Sequence, residues 1–93
     1  MADSVTVHIP TPLRPHAGDN SRLELAGATV GDVLETLAAQ HPELGRRLFK
    51  AEGKLNRYIN IYVNDEDIRF QDNLGTALKA GDNIVLVPAI AGG

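Results

Sequence analysis

The stretch Ala91-Gly92-Gly93 closes the sequence just behind a run of apolar residues, and it is the place in the chain best suited to chemistry. Glycine is about 7% of average usage, so two in succession at one end is an uncommon coincidence. With no Cβ on either residue, such an end can thread a narrow cleft and leave the α-carboxylate of Gly93 sterically open. Gly93 is then the reacting residue, and Gly92 supplies clearance. The competing reading is a frayed end with no role. Ala89, Ile90, Ala91, Gly92 and Gly93 carry no side-chain charge, and fully extended they reach roughly 17 Å at about 3.3 Å per residue. A flexible tail over residues 89–93 therefore suits an apolar channel that ends in another protein's active site.

The other reactive residue types do not gather into a site. His8, His16 and His41 lack metal-ligand spacing, so no metal is expected. The sequence has no P-loop, G-x-G-x-x-G or H-E-x-x-H, so this chain should bind no cofactor and ATP or zinc chemistry would belong to a partner. Ser4 and Ser21 have no evident base, and Asp65-Glu66-Asp67 reads as turn chemistry before acid–base chemistry. The absence of cysteine removes disulfides, thiolate metal sites and thiol nucleophiles, and any sulfur carried here cannot be a cysteine persulfide. A net charge of −3 argues against nucleic acid. The basic stretch Arg46, Arg47, Lys50, Lys54 and Arg57 is a solvated face or a surface for an acidic partner. No apolar run is long enough for a membrane span, and Met1-Ala2-Asp3-Ser4 has no signal-peptide character, so a cytoplasmic protein is expected.

The 93 residues suit a single domain with one core, and 43% apolar residues is ordinary for a globular chain. Val5, Val7 and Ile9 alternate with polar residues and predict a strand, Thr11 to Ser21 a long hairpin loop, and Leu23 and Leu25 the return strand. Val30, Val33, Leu34, Leu37 and Ala38 form one helical stripe behind Thr29 as N-cap, ended by Pro42. Leu44, Leu48 and Phe49 predict a short second helix. Ile59, Ile61 and Val63 predict a third strand, 64–67 a turn, and Ile68-Arg69-Phe70 a fourth strand. Leu74, Ala77 and Leu78 suggest a helical turn. Ile84 to Val87, apolar on both faces, should form a strand in the middle of the sheet. The result is an α+β chain with a mixed sheet of four to five strands on one main helix, which resembles the ubiquitin-like β-grasp.

Gly81-Asp82, the strand Ile84 to Val87, Pro88 and the closing Gly92-Gly93 resemble the ubiquitin-like sulfur carriers, as does the pair Val63-Asn64. That family includes the small subunit of molybdopterin synthase, the thiamine-pathway carrier and the cysteine-synthesis carrier. Ile9-Pro10-Thr11 with Leu13-Arg14-Pro15-His16, residues 60–67 and the tail look most like the cysteine-synthesis type. Pro88-Ala89 stands where molybdopterin-type carriers commonly have two prolines. The resemblance implies a protein co-substrate and not an enzyme. An E1-like enzyme would adenylate Gly93 with ATP, and a sulfur donor would convert it to a thiocarboxylate. The sulfur would then attack an acceptor on a pyridoxal-phosphate cysteine synthase, and a zinc-dependent peptidase would release cysteine. The alternatives are a molybdopterin-type carrier, a protein modifier joined through Gly93, and an interaction module with an inert tail.

A carrier also needs a docking face, because a five-residue tail buries too little to hold two proteins in register. The one helix stripe can cover only one side of the sheet. Val85 and Val87, with Tyr58 and Tyr62 nearby, are expected on the other side, together with the launch segment Pro88, Ala89, Ile90 and Ala91; Arg14 and Phe70 are further candidates. The competing expectation is that the hairpin loop or second helix folds over this face.

Overall fold

A computed structural model describes residues 4–49 and 59–88, and across them the strands and helices follow the predicted order. Strands β1 (Ser4–His8) and β2 (Arg22–Ala26) form an antiparallel hairpin. Helices α1 (Val30–Gln40) and α2 (Pro42–Leu48) follow, then β3 (Ile59–Val63), β4 (Glu66–Asp67) and β5 (Asn83–Pro88). The sheet order is β2-β1-β5-β3-β4, with β5 parallel to β1 and antiparallel to β3. The doubly apolar last strand thus takes the centre, where both of its edges are bonded.

Helix α1 starts where Thr29 Oγ1 accepts the Asp32 amide at 3.2 Å. Its stripe of Val30, Val33, Leu34 and Leu37 is fully buried and packs into one core with Val7, Ile61, Ile84 and Leu86 of the sheet. Pro42 opens α2, which adds Leu44 and Leu48 to the same core. The two helices approach closely at Gly45, where a Cβ would lie 2.6 Å from the Ala38 Cβ.

Three local expectations are corrected. The hairpin loop is not plain loop: Thr11–Ala17 coils as a 3-10 helix that buries Leu13 and Ala17. Four residues apart, those two apolar side chains give the connection its own inward face. Gly18 ends it in the left-handed region at φ 64°. Ile68–Phe70 is likewise a 3-10 turn and not the fourth strand, because Asp67 accepts the Arg69 amide at 2.8 Å and curls the chain. The fourth strand is Glu66–Asp67, entered through Asn64 and Asp65 at φ 51° and 73°, the backbone of a tight hairpin turn. The helical turn expected around Leu74 is a 3-10 turn at Asn73–Gly75, and Ala77 forms a bridge with Thr29 instead.

Candidate functional site

β5 leads the chain to Pro88, the last residue described, so the geometry of the tail's root is set by what holds β5. At its beginning, Gly81 turns the chain at φ 86°, a conformation suited to glycine, and its amide donates to Ser4. The Asp82 carboxylate accepts the Lys79 amide at 2.8 Å and the Asn64 side-chain amide at 2.9 Å. These two donors, the Lys79 amide first, hold its carboxyl below the usual carboxylate range. Asn64 Oδ1 in turn accepts the Asn83 amide at 3.0 Å, and the Asn64 amide donates to Asn83 O at 2.9 Å. The separate pairs Val63-Asn64 and Gly81-Asp82 thus form one clasp that joins the end of β3 to the start of β5. The sequence offered both motifs but not the bond between them.

Val85 and Val87 alternate with the buried Ile84 and Leu86 and so point away from the helices. Val85 is half-buried and Val87 is 38% exposed, so neither the coiled hairpin connection nor α2 seals this face. Strand register sets Arg22, His8, Val85 and Tyr62 in one row across β2, β1, β5 and β3. An open groove of about 600 Å³ at the Pro88 end of this face is lined by His8, Pro10, Arg14, Arg22, Val85 and Val87, among others. Arg14 is anchored there by its Nε, which donates to Ile9 O at 3.0 Å, and His8 Nε2 lies 3.0 Å from Asn83 Oδ1.

Of the expected site residues, the structure brings Arg14, Val85, Val87 and Pro88 together in this groove. Tyr62 stands one strand over, beside Val85. Phe70 is 81% exposed but follows β4 at the far edge of the sheet, apart from the groove. Tyr58, Ala89, Ile90, Ala91, Gly92 and Gly93 lie outside the described residues, as do Lys50, Lys54 and Arg57 of the basic stretch. Arg22 and His8 were not expected here; their signal was the alternation that put them on the polar side of β2 and β1.

Asp67, in β4, is 6% exposed and is gripped by Arg69 through Nη2 at 2.7 Å and Nε at 3.2 Å. That side-chain pairing, with the Arg69 amide, holds its carboxyl below the usual range. It gives Asp67, the last of the three acidic residues, a structural role. Among the described residues no group of three or more metal-ligating side chains occurs, and no helix is long and apolar enough to cross a membrane.

Comparison with known proteins agrees with this architecture. The chain is 47% identical over 92 residues to the sulfur carrier protein CysO of Mycobacterium tuberculosis, covering 97% of this chain and 99% of that protein. In the crystal structure of the Amycolatopsis orientalis BexX/CysO complex, the matching chain superposes with a TM-score of 0.86 at 47% identity, covering 96% of this chain and 99% of that one. The solution structure of small archaeal modifier protein 1 from Methanosarcina acetivorans gives a TM-score of 0.89 at 33% identity, covering 100% and 99%. The ThiS family model matches residues 7–93, and the chain belongs to the ThiS family of ubiquitin-like sulfur carriers.

Proposed function

We propose that this carrier holds sulfur as a thiocarboxylate on Gly93 and delivers it for cysteine synthesis. The observation that carries the proposal is the placement of uncharged Ala89 to Gly93 directly after Pro88, at the end of a strand clasped into the centre of the sheet. A rigid root and a tail without side-chain charge suit delivery of a C-terminal carboxylate into a partner's channel. The 47% identity to CysO supports cysteine as the product.

A carboxylate is a poor electrophile, so an E1-like enzyme would first join Gly93 to AMP, releasing pyrophosphate. A sulfur donor then displaces AMP. The resulting thiocarboxylate is ionised at neutral pH and presents a soft sulfur nucleophile. A pyridoxal-phosphate cysteine synthase would supply the acceptor, and a zinc-dependent peptidase would free the cysteine. All three cofactors, ATP included, sit on partners in this scheme. Val85, Val87, Tyr62, Pro88 and Arg14 would form the docking face, and the BexX/CysO complex of the relative supports the idea that such carriers seat on a partner protein.

The test is intact-mass analysis after incubation with an E1-like enzyme, ATP and a sulfur donor. The expected product has one oxygen of Gly93 replaced by sulfur, and a Gly93-deleted variant gains none. Sulfur appearing elsewhere, or nowhere, would sink the proposal. Likeness to the archaeal modifier favours a second reading, in which Gly93 is joined to lysines of target proteins. Isopeptide-linked Gly92-Gly93 on cellular proteins, without sulfur transfer to cysteine, would select it.

A further inference from the structure

Strand β2 is an outer strand of the sheet, and its free edge carries a charge pattern that is complementary to itself. The Ile9 amide donates to Ser21 O at 2.8 Å, in line with the β1–β2 register. In an antiparallel ladder, bonded pairs alternate with unbonded ones. Val7–Leu23 and Val5–Leu25 therefore bond across the hairpin, while His8–Arg22 and Thr6–Glu24 do not. The backbone N–H and C=O groups of Arg22, Glu24 and Ala26 consequently point outward. No described strand takes them. Arg22 and Glu24 are exposed, and neither forms an ion pair with another described residue.

An added antiparallel strand must oppose outward groups with outward groups, which restricts the registers open to a second copy. A two-fold centred on Arg22 sets arginine against arginine, and one centred on Glu24 sets glutamate against glutamate. A two-fold at Leu25 leaves the charges facing Ala26 and Ala28. With the two-fold at Leu23, each Arg22 faces Glu24 of the other copy, and each such pair exchanges both backbone hydrogen bonds. The half-buried Leu23 side chains meet at the axis.

We propose that the β2 edge is a self-recognition surface, through which two copies of this chain pair antiparallel at Leu23. The proposal is independent of the cysteine assignment. Two five-stranded sheets become one continuous sheet. The two-fold runs perpendicular to it, so both open faces lie on the same side. The two β5 strands stand roughly 24 Å apart at about 4.8 Å per strand step. One short strand per copy is a small interface, so the association is weak and concentration-dependent.

Sedimentation equilibrium of the full chain up to about 1 mM tests this. The wild type should dimerise reversibly. Arg22→Glu and Glu24→Arg should each lower the association constant about tenfold, since each turns two attractive pairs into repulsive ones. The double variant Arg22→Glu/Glu24→Arg should recover it. A wild type that stays monomeric, single variants that match it, or a folded double variant that fails to recover would each overturn the proposal. So would loss of the dimer in Val87→Asp, which would move the contact to the open face. Hydrogen exchange on the wild type is a check that needs no variant. Amides of Arg22 and Glu24 should gain protection as concentration rises while Leu23 and Leu25 stay constant, and unchanged Arg22 and Glu24 amides would also overturn it.

Discussion

Asn64 and Asp82 lie 18 residues apart in the chain and 2.9 Å apart in the fold. Asp82 accepts both bonds at full strength only while ionised, one on each oxygen, and its donors depress its folded pKa. Its stabilising contribution is therefore complete above the ordinary carboxylate pKa, near 4, and is lost as pH falls below that value. Asp67, depressed by Arg69, contributes with the same sign. The urea midpoint of the wild type should fall below about pH 4, and that of Asp82→Asn should fall less over the same range. An equally steep variant would mean that the clasp does not titrate. Gly92 makes a different demand. Gly92→Val should leave the urea midpoint unchanged and still block sulfur transfer, because a β-branched side chain fills the clearance that the glycine leaves. Transfer at the wild-type rate would remove the steric role.

The secondary elements owe their positions to a few close approaches. Helix α2 can lie against α1 because residue 45 has no Cβ to meet Ala38. Gly45→Val should cost about 2 kcal/mol or more through overpacking, measured by chemical denaturation. Adding Ala38→Gly should recover part of the loss, and failure to do so would place the strain elsewhere. Apolar alternation at Ile68 and Phe70 predicted a strand, yet Asp67 captured the Arg69 amide and side chain first. A local side-chain acceptor outcompeted a two-residue alternation, because the ladder would have offered Arg69 no better partner.

The packing of α1 and α2 lies on one side of the sheet, and this asymmetry leaves Val85 half-buried and Val87 exposed on the other, the face proposed for docking. The two faces of β5 should respond in opposite ways. Ile84 is fully buried, so Ile84→Asp should unfold the protein. Val87→Asp should cost about 1 kcal/mol or less in stability. It should weaken capture by the activating enzyme about tenfold, as loss of an interface anchor does. Titration of the two proteins by calorimetry reads this directly. Unfolding of Val87→Asp would make that face core, and unchanged affinity would move docking elsewhere, with Phe70 next to be tried.

The succession of the main strands and helices, the central place of the doubly apolar last strand, the α1 stripe, the capping Thr29 and the chemistry proposed for Gly92-Gly93 were all readable along the chain. Each depends on neighbours within a few residues, and alternation or helical spacing records burial directly. The coiling of Thr11–Ala17 was hidden by its prolines and polar residues, although Leu13 and Ala17 carried the helical spacing. The clasp of Asn64 with Asp82, the groove that unites Arg14 with Val85, and the outward phase of β2 were decided only in three dimensions. Strand register is non-local: nothing in residues 22–24 states which of their amides β1 will take. That depends on the pairing of Ile9 with Ser21 across the hairpin, and so on the coiled connection between them.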